Sequence, residues 1–322
     1  MAELSQLPTE RLSLLTKVAR MYHEQGMRQP EIAERLHVSQ SRVSRLLKEA
    51  SSVGVVRTVV VAPAGVFSDL EEVVRDRYGF SDVVVAEPAE AGETSLLAAL
   101  GSAGAAYLET TLTGGERVGI SSWSSTLLAT VDSMAPRTVS TASEVVQVIG
   151  GVGNPAVQVQ ATRLTDRFSR VTGGVPKFFP APGIVGSRAA RDALLEDPYI
   201  HDLTAEWKNL TVLLAGIGSL EPSTLLKDSG NAISESDTDS LRRLGAVGDV
   251  CLRFFDAEGK LVDTELHDRV LGISSDDLRM VPRKVGIAGG ERKFAAIRAA
   301  ALGQWIDVLI TDVTTARRLA GG

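Results

Sequence analysis

Two short stretches near the start of the chain carry apolar residues at helical spacing, and a polar turn separates them. Pro30 suits the first turn of the first helix, where no backbone N–H is needed, and Ser39 is placed to cap the second helix. The apolar positions of the pair are Ile32, Ala33, Leu36, Val38, Val43, Leu46 and Leu47. Residues 27–50 therefore predict a helix-turn-helix, supported by an earlier helix over residues 10–25.

The second helix of this pair has a polar, basic face that begins at its first turn, where a recognition helix meets base edges. The residues predicted to contact DNA are Arg28, Gln29, Ser39, Gln40, Ser41, Arg42, Ser44, Arg45 and Lys48. A surface hairpin with a solvated basic face is the alternative. Cap, turn and polar face coincide in one short window, so we interpret the segment as a reader of double-stranded operator DNA.

Beyond residue 65, nearly continuous apolar runs alternate with stretches of helical periodicity. The predicted strands cover residues 82–86, 117–120, 145–149, 210–215, 283–288 and 308–311, and the predicted helices cover residues 94–112, 122–134, 156–171 and 291–302. This alternation indicates an α/β fold with a parallel sheet covered on both faces. Residues 53–62 are predicted to be extended. We place a DNA-binding domain at residues 1–62 and an effector-binding and oligomerisation domain at residues 63–322.

Small and hydroxyl-bearing residues follow several of the predicted strands. Ligands of parallel sheets bind where strands end and helices begin, and helix N-termini attract anions. The predicted effector site comprises Gly119, Ser121, Ser122, Ser124, Ser125, Thr126, Gly150, Gly151, Gly216, Gly218, Asp249, Gly289, Gly290 and Lys293. Any one glycine here could simply make a tight turn, but together they favour an anion-binding crevice. The phosphate motifs of nucleoside triphosphate and dinucleotide sites are absent from the sequence.

The remaining polar residues predict little further chemistry. Asp249 stands just before an apolar run, residues 250–255, that is predicted to be a strand. Asp249 either accepts hydrogen bonds from sugar hydroxyls or is a structural turn residue, and Asp312 is predicted to cap the last helix. The single cysteine, Cys251, is predicted to be buried in a reducing compartment. The four histidines lack metal-ligand spacing, so neither a metal nor a cofactor is expected.

Charged residues are unevenly distributed along the chain. The formal net charge of the 322 residues is −6, yet residues 1–60 hold nine Lys and Arg against six Glu and leave −9 on the remainder. A modestly basic N-terminal region on an otherwise acidic chain fits a protein that binds DNA through that region alone. Because the positive charge is small, we expect two or more copies to bind together. No run approaches the roughly 18 apolar residues of a membrane span. We expect a cytoplasmic protein without a membrane partner.

Several segments together resemble the SorC family of bacterial sugar-responsive transcriptional regulators. They are Val43–Leu47, the Ser/Thr loop after Gly119, Gly150-Gly151, Gly216–Gly218, Gly245–Asp249, Ala288–Ile297 and Leu309–Asp312. The resemblance implies a Rossmann-like effector domain similar to sugar-phosphate isomerases, and a dimer or tetramer. It also implies that a phosphorylated sugar binds the Ser121–Thr126 loop and Lys293 through its phosphate, and Asp249 through its hydroxyls.

One departure and two alternatives accompany this resemblance. The family's loop usually carries glycine shortly before its threonine, whereas Trp123-Ser124-Ser125 stands here. The preferred function is a regulator, expected to be a repressor of carbohydrate or nucleoside catabolism genes, and not an enzyme. The first alternative is a sugar-phosphate isomerase or deaminase with an accessory DNA-binding head. The second is a constitutive DNA-binding scaffold with an empty effector site.

Overall fold

A computed structural model of the chain describes residues 8–56, 65–152, 155–221 and 233–321, which fall into two compact units divided between Pro63 and Ala64. The first unit contains helices α1 (Thr9–His23), α2 (Gln29–Arg35) and α3 (Gln40–Ser52). Their apolar faces share one small core that includes Leu15, Val18, Ile32, Val43, Leu46 and Ala50. The helix-turn-helix expected from the spacing of apolar residues is confirmed.

Local hydrogen bonds fix both helices of the motif. The Ser39 hydroxyl accepts from the backbone N–H of Arg42 at 3.3 Å, as expected for an N-cap. At the start of α2, the Glu31 carboxylate accepts from the backbone N–H of Arg28 at 2.8 Å. Between the helices His37 adopts a positive φ of 53° and turns the chain.

The prediction of an extended segment from Val53 onward is wrong for residues 53–56. There the N–H of Val53 donates to Glu49 at 2.9 Å and that of Val56 donates to Ala50 at 3.0 Å. Gly54 takes a φ of +82°, so these bonds close the end of α3 with a left-handed turn. The hydrogen bonds that end α3 therefore outweigh the β-propensity of Val53, Val55 and Val56. Residues 57–62 of that predicted segment lie outside the described residues.

The second unit is built on one nine-stranded sheet within the described residues. Its strands are β1 (Asp82–Ala86), β2 (Glu116–Ile120), β3 (Ala142–Gln147), β4 (Val175–Lys177), β5 (Val212–Ser219), β6 (Ala246–Val250), β7 (Arg253–Asp256), β8 (Arg283–Ile287) and β9 (Val308–Asp312). Seven of them pair in parallel in the order β1-β9-β8-β5-β2-β3-β4. The hairpin β6–β7 adds antiparallel to the far end of β5. The expected parallel α/β fold is confirmed.

Helices cover both faces of this sheet. They are α4 (Ser68–Tyr78), α5 (Glu93–Thr111), α6 (Ser125–Ser133), α7 (Pro155–Thr172), α8 (Arg188–Leu195), α9 (Pro198–Ala205), α10 (Glu235–Arg243), α11 (Ser275–Met280), α12 (Phe294–Leu302) and α13 (Val313–Gly321). Successive residues of β5 enter two different cores, because Leu213 belongs to the core that includes residues of α12 and α13, whereas Leu214 belongs to the core that includes residues of α5 and α6. None of the described helices is long and apolar enough to cross a membrane.

Two details of the strands differ from the sequence-based expectation. Gly216 and Gly218 were expected in a loop after a strand, but β5 continues through both and pairs with β6. The apolar run from Val250 to Phe255 was expected to be one strand, but it turns at Cys251-Leu252 and forms a hairpin. Asp249 consequently lies inside β6 and not ahead of a strand.

Candidate effector cleft and DNA-binding face

The polar side of α3 is exposed and rich in positive charge. Arg42, Arg45 and Lys48 are all exposed, and no carboxylate pairs with any of them among the described residues. The acidic residue of the same helix, Glu49, is instead bound by Arg11 of α1. The pairing of Glu49 with Arg11 lowers the Glu49 pKa and leaves the cations of α3 unopposed. Such a face suits binding to a phosphate backbone.

The remaining residues expected to contact DNA are mostly exposed. Arg28, Ser39, Gln40, Ser41 and Ser44 are exposed, and Gln29 is half-buried. The Ser39 hydroxyl already accepts from the backbone and lies 3.0 Å from the Ser41 hydroxyl. Most of the predicted residues are therefore accessible to DNA, and Ser39 is engaged in capping.

A cleft of about 730 Å³, counting its open mouth, lies where β2 and β5 end. Its described lining consists of Ser121, Trp123, Ser124, Ser125, Ile149, Gly216, Ile217, Gly218, Ser219, Glu221, Asp249, Cys251, Leu252, Arg292 and Lys293. We call it the effector cleft. The carboxyl edge of a parallel sheet is the usual place for ligands in such folds, because strands give way to loops and helix N-termini there.

A second hollow adjoins the effector cleft and shares Ser125, Arg292 and Lys293 with it. Its other described lining residues are Glu93, Leu96, Leu97, Leu100, Thr126, Gly289, Gly290 and Glu291. The Arg292 guanidinium also lies 3.8 Å from the carboxylate of Glu93, the first residue of α5, which borders the hollow. Two cations thus stand between the two spaces.

The loop between β2 and α6 holds a directional chain of hydroxyl groups. The Thr126 hydroxyl donates to the carbonyl of Ile287 at 3.0 Å, so it accepts from the Ser124 hydroxyl 2.9 Å away. Ser124 also caps α6 by accepting from the N–H of Leu127. Neither hydroxyl has a proton left for a ligand, whereas Ser121 and Ser125 have no hydrogen bond of their side chains to the described residues.

Ser122 holds the floor of this loop. Its hydroxyl donates to the carbonyl of Ile149 at 2.8 Å and accepts from the Gln147 amide at 2.6 Å. The other end of that amide accepts from the N–H of Phe179 at 2.9 Å. With 2% of its surface exposed, Ser122 is a structural clamp between the loop and β3.

Asp249 reaches into the cleft over the backbone of β5. A Cβ added to Gly218 would lie 2.0 Å from its carboxylate oxygen, so only glycine leaves room for this side chain. The other oxygen accepts from the N–H of Leu252 at 2.9 Å, across the β6–β7 turn. Burial raises the Asp249 pKa to about 6, opposed by that hydrogen bond and by the charge of Lys293.

The turn that Asp249 supports is strained. Cys251 and Leu252 both take positive φ, 55° and 59°, in the two-residue connection between the paired residues Val250 and Arg253. Two positive φ angles define a type I′ turn, which normally uses Asn or Gly. A side chain in this region costs on the order of 1 kcal/mol per residue. Cys251 is buried, as expected, and it also borders the cleft.

Lys293 enters the cleft from the segment that follows β8. It ends a short 3₁₀ turn, Glu291–Lys293, ahead of α12. Burial lowers the Lys293 pKa, while the charge of Asp249 acts in the opposite direction. The two groups therefore stabilise each other's charges in a poorly solvated space, which suits a ligand that carries both acceptors and donors.

Asp312 fixes the backbone that carries Lys293. Its carboxylate accepts from the N–H of Gly290 at 2.7 Å, and from the N–H groups of Thr314 and Thr315 at 3.0 Å each. The expected cap of the last helix is thus confirmed. Gly289 leaves space for the carboxylate, because a Cβ there would lie 2.5 Å from it.

The structure brings together most, but not all, of the residues predicted for the effector site. Ser121, Ser124, Ser125, Gly216, Gly218, Asp249 and Lys293 line the effector cleft, and Thr126, Gly289 and Gly290 line the adjoining hollow. Gly119, Ser122, Gly150 and Gly151 are absent from the described lining of both. Gly119 packs against Leu210 inside β2, and Gly150 packs against the Pro182 carbonyl.

Sequence reasoning missed several lining residues. Arg292 could have been found from its place beside Lys293, in the same glycine-rich turn. Trp123 was noticed as a departure from the family pattern and not as a wall of the cleft. Cys251 and Leu252 carry no sequence signal, because the turn that exposes them to the cleft lacks the residues typical of turns.

Comparisons with known proteins agree with both units. Residues 63–320 match the family model "Putative sugar-binding domain", and residues 4–52 match the model "Sigma-70, region 4". The deoxyribonucleoside regulator of Bacillus subtilis is 30% identical over 310 residues, covering 96% of this chain and 98% of that protein. The sorbitol operon regulator of Klebsiella pneumoniae is 28% identical and covers 96% and 98%.

The crystal structure of the full-length sorbitol operon regulator SorC from Klebsiella pneumoniae superposes with a TM-score of 0.73 at 27% identity. The superposition covers 97% of this chain and all of that one. The fold, the helix-turn-helix and these matches define a DNA-binding transcriptional regulator with a sugar-binding domain. The chain belongs to the SorC family of transcriptional regulators.

Proposed function

We propose that this protein is a repressor of carbohydrate or nucleoside catabolism genes, and that a phosphorylated sugar in the effector cleft changes its affinity for operator DNA. One observation carries the proposal: Lys293, Asp249 and the start of α6 converge on one cleft at the carboxyl edge of the sheet. The lysine and the helix N-terminus suit a phosphate, and the carboxylate suits sugar hydroxyls.

The names of two relatives support this choice of ligand. A deoxyribonucleoside regulator and a sorbitol operon regulator both match over almost the whole chain. The phosphate would lie near Lys293, Arg292 and the free hydroxyls of Ser121 and Ser125. Asp249 would accept from hydroxyl groups at the other end of the sugar.

The proposal includes a dimer or tetramer, because one helix-turn-helix with a modest positive charge holds DNA weakly. Two copies on neighbouring half-sites would add their phosphate contacts. A sugar phosphate shifts operator affinity only if it binds one subunit arrangement more tightly than another. The effector cleft would then regulate α3 through the arrangement of subunits.

The test combines ligand binding with DNA binding. The full chain is screened by thermal shift against 2-deoxyribose 5-phosphate, ribose 5-phosphate, glucose 6-phosphate and sorbitol 6-phosphate, with the unphosphorylated sugars as controls. An operator selected from random duplexes then reports, by fluorescence anisotropy, whether the stabilising compound changes affinity. Stabilisation by a phosphorylated sugar with a changed operator affinity supports the proposal. Equal responses to phosphorylated and unphosphorylated sugars contradict it.

A further inference from the structure

Arg253 is the first residue of β7, directly after the turn that borders the effector cleft, and the proposed function gives it no role. Only 5% of its surface is exposed, and its side chain forms no ion pair with a carboxylate among the described residues. Burial lowers the Arg253 pKa to about 10, which leaves the guanidinium charged at neutral pH. A buried cation without an acidic partner is costly and calls for an explanation.

Backbone carbonyl groups of one neighbouring segment take the place of a carboxylate. The guanidinium donates to the carbonyl of Ile273 at 2.8 Å, to that of Gly272 at 2.9 Å and, at 3.4 Å, to that of His267. Its five N–H donors point in fixed directions, so it reaches several carbonyls that the single ammonium group of a lysine cannot reach together. Arg253 therefore fastens the β6–β7 turn to residues 267–273.

The segment that the guanidinium holds is joined in turn to the chain after β3. The N–H of Ile273 donates to the carbonyl of Val148 at 2.8 Å, and Gly272 pairs with Ile149 in an isolated antiparallel bridge. Ile149 lines the effector cleft, and its carbonyl accepts from the Ser122 hydroxyl at 2.8 Å. These contacts extend the connection to the loop between β2 and α6.

A continuous series of contacts thus joins two parts of the cleft lining that lie far apart in sequence. At one end is Asp249, beside the β6–β7 turn, and at the other is the loop that carries Ser121 and Ser125. A sugar phosphate bound as proposed would touch both ends. The two residues of the turn disfavour its positive φ angles, so the turn relies on contacts outside itself. Arg253 supplies such contacts.

We propose that Arg253 is a positioning residue that sets the span of the effector cleft, and thereby determines which length of sugar phosphate fits. This inference rests on the proposed function and adds to it a residue that governs selectivity without touching the ligand. A small shift of the turn would carry Asp249 with it, and hydrogen bonds weaken steeply when their geometry is poor. The preferred ligand would lose most, because its length matches the present span.

The first experiment keeps the positive charge and removes the planar group. Arg253→Lys and the wild type are titrated by calorimetry with the four sugar phosphates named above, two of which have five carbons and two six. We expect the affinity for the best ligand of the wild type to fall about tenfold, the effect of one lost hydrogen bond. We also expect the preference between five and six carbons to change. Arg253→Gln, whose planar amide can still reach one carbonyl, replaces Arg253→Lys if the latter does not fold.

Phe168→Leu is the matched control for a general loss of stability. Phe168 is fully buried in a core of the same unit and is absent from the described lining of the cleft. Urea denaturation curves measure the stability of each variant. We expect Phe168→Leu to lose stability but to keep the affinities and the ligand preference of the wild type, because a merely structural lesion does not change the span of the cleft.

A second experiment examines the other end of the connection. Ser122→Ala removes the hydrogen bond to the Ile149 carbonyl and leaves Arg253 in place. If both residues hold one connection, the double variant Ser122→Ala, Arg253→Lys should bind the best ligand little more weakly than either single variant. Additive losses would mean that the two residues act separately, and would overturn the inference.

The outcomes separate this inference from the function on which it rests. If a sugar phosphate binds the wild type, and the Arg253 variant binds the same compounds with unchanged affinities, the role of Arg253 is overturned and the proposed function stands. Equal losses of affinity in the Arg253 variant and in Phe168→Leu overturn it as well. If none of the sugar phosphates binds the wild type, the proposed function fails, and the role of Arg253 fails with it.

Discussion

The basic face of α3 and the effector cleft both use positively charged side chains, but they hold them in opposite ways. Arg42 and Arg45 lie exposed in water without acidic partners among the described residues. Lys293 and Asp249 are only partly exposed, and each alters the ionisation of the other. The exposed charges can be replaced one at a time without disturbing the fold. Asp249 and Lys293 are coupled through their charges, so that a change in one alters the pKa of the other.

The largest effect should come from removing the cation of the cleft. Lys293→Met keeps most of the side chain's volume but cannot donate to a phosphate. We expect the affinity for a sugar phosphate to fall roughly 100-fold, since a buried charged hydrogen bond is lost. Operator affinity without effector should stay unchanged.

Calorimetry and operator anisotropy measure the two halves of this prediction. Lys260→Met is the matched control, because Lys260 is exposed and distant from the described lining of the cleft. Unchanged sugar-phosphate affinity in Lys293→Met would remove Lys293 from the proposed site.

A smaller effect, on stability, is expected when a methyl group is added at Gly218, next to the Asp249 carboxylate. Gly218→Ala places a Cβ about 2.0 Å from that oxygen and forces the carboxylate or β5 to move. We expect a loss of about 2 kcal/mol in the free energy of unfolding, as for other overpacked sites, and a weakened effector response. Denaturant melts measure the loss. Gly186→Ala is the control, because a Cβ at Gly186 meets no atom within 4 Å; equal stabilities of the two variants would contradict the close approach.

On the DNA-binding face a single substitution should change binding and leave stability alone. Arg42→Ala removes one exposed cation of α3, so operator affinity should fall about tenfold and its dependence on salt should weaken. The melting temperature should move little, since the side chain is exposed. Lys17→Ala on α1 is the control. A large fall in the melting temperature of Arg42→Ala would mean that the side chain supports the fold.

The smallest effect should appear as a pH dependence. The Asp249 pKa of about 6 in the folded protein lies above its usual value of 3.8, so the folded state holds the proton more tightly than the unfolded state. This carboxyl group therefore favours folding at low pH, and its contribution falls as the pH rises from about 4 to 6.

Asp249→Asn cannot titrate and can still accept from the N–H of Leu252. The wild type should lose stability relative to this variant between pH 4 and 7, by on the order of 1 kcal/mol. Parallel urea denaturation curves across this range measure the difference. A difference that does not change with pH would mean that Asp249 keeps an ordinary pKa.

The elements that followed from sequence are those whose side-chain pattern decides the backbone. The residue type and position of Ser39 predicted that it caps α3. The apolar runs at 82–86 and 308–311 were predicted as strands, and most of their residues are buried. The parallel fold and the convergence of Asp249 and Lys293 also followed from these patterns and the family resemblance.

The missed features depend on contacts between distant segments. A glycine after an apolar run usually marks a turn, yet Gly216 and Gly218 continue β5. Glycine is needed there because Ser124 and Asp249 occupy the space where a side chain would lie. The hairpin at Cys251-Leu252 could not be predicted from the sequence, since these two residue types disfavour the positive φ that they adopt. Tertiary contacts determine the backbone at both places.

The Cys251-Leu252 turn also limits how this regulator could acquire a new effector. Its residues do not favour the turn, and the hydrogen bond from Leu252 to Asp249 helps to hold it. In the proposed site, position 249 would serve both the ligand and the hairpin, and a side chain without an acceptor there would weaken the hairpin as well as change ligand binding. Ser121 and Ser125 also line the cleft, and their side chains make no hydrogen bond to the described residues. Divergence of effector preference, natural or directed, should therefore accumulate on the α6 side of the cleft before it reaches Asp249.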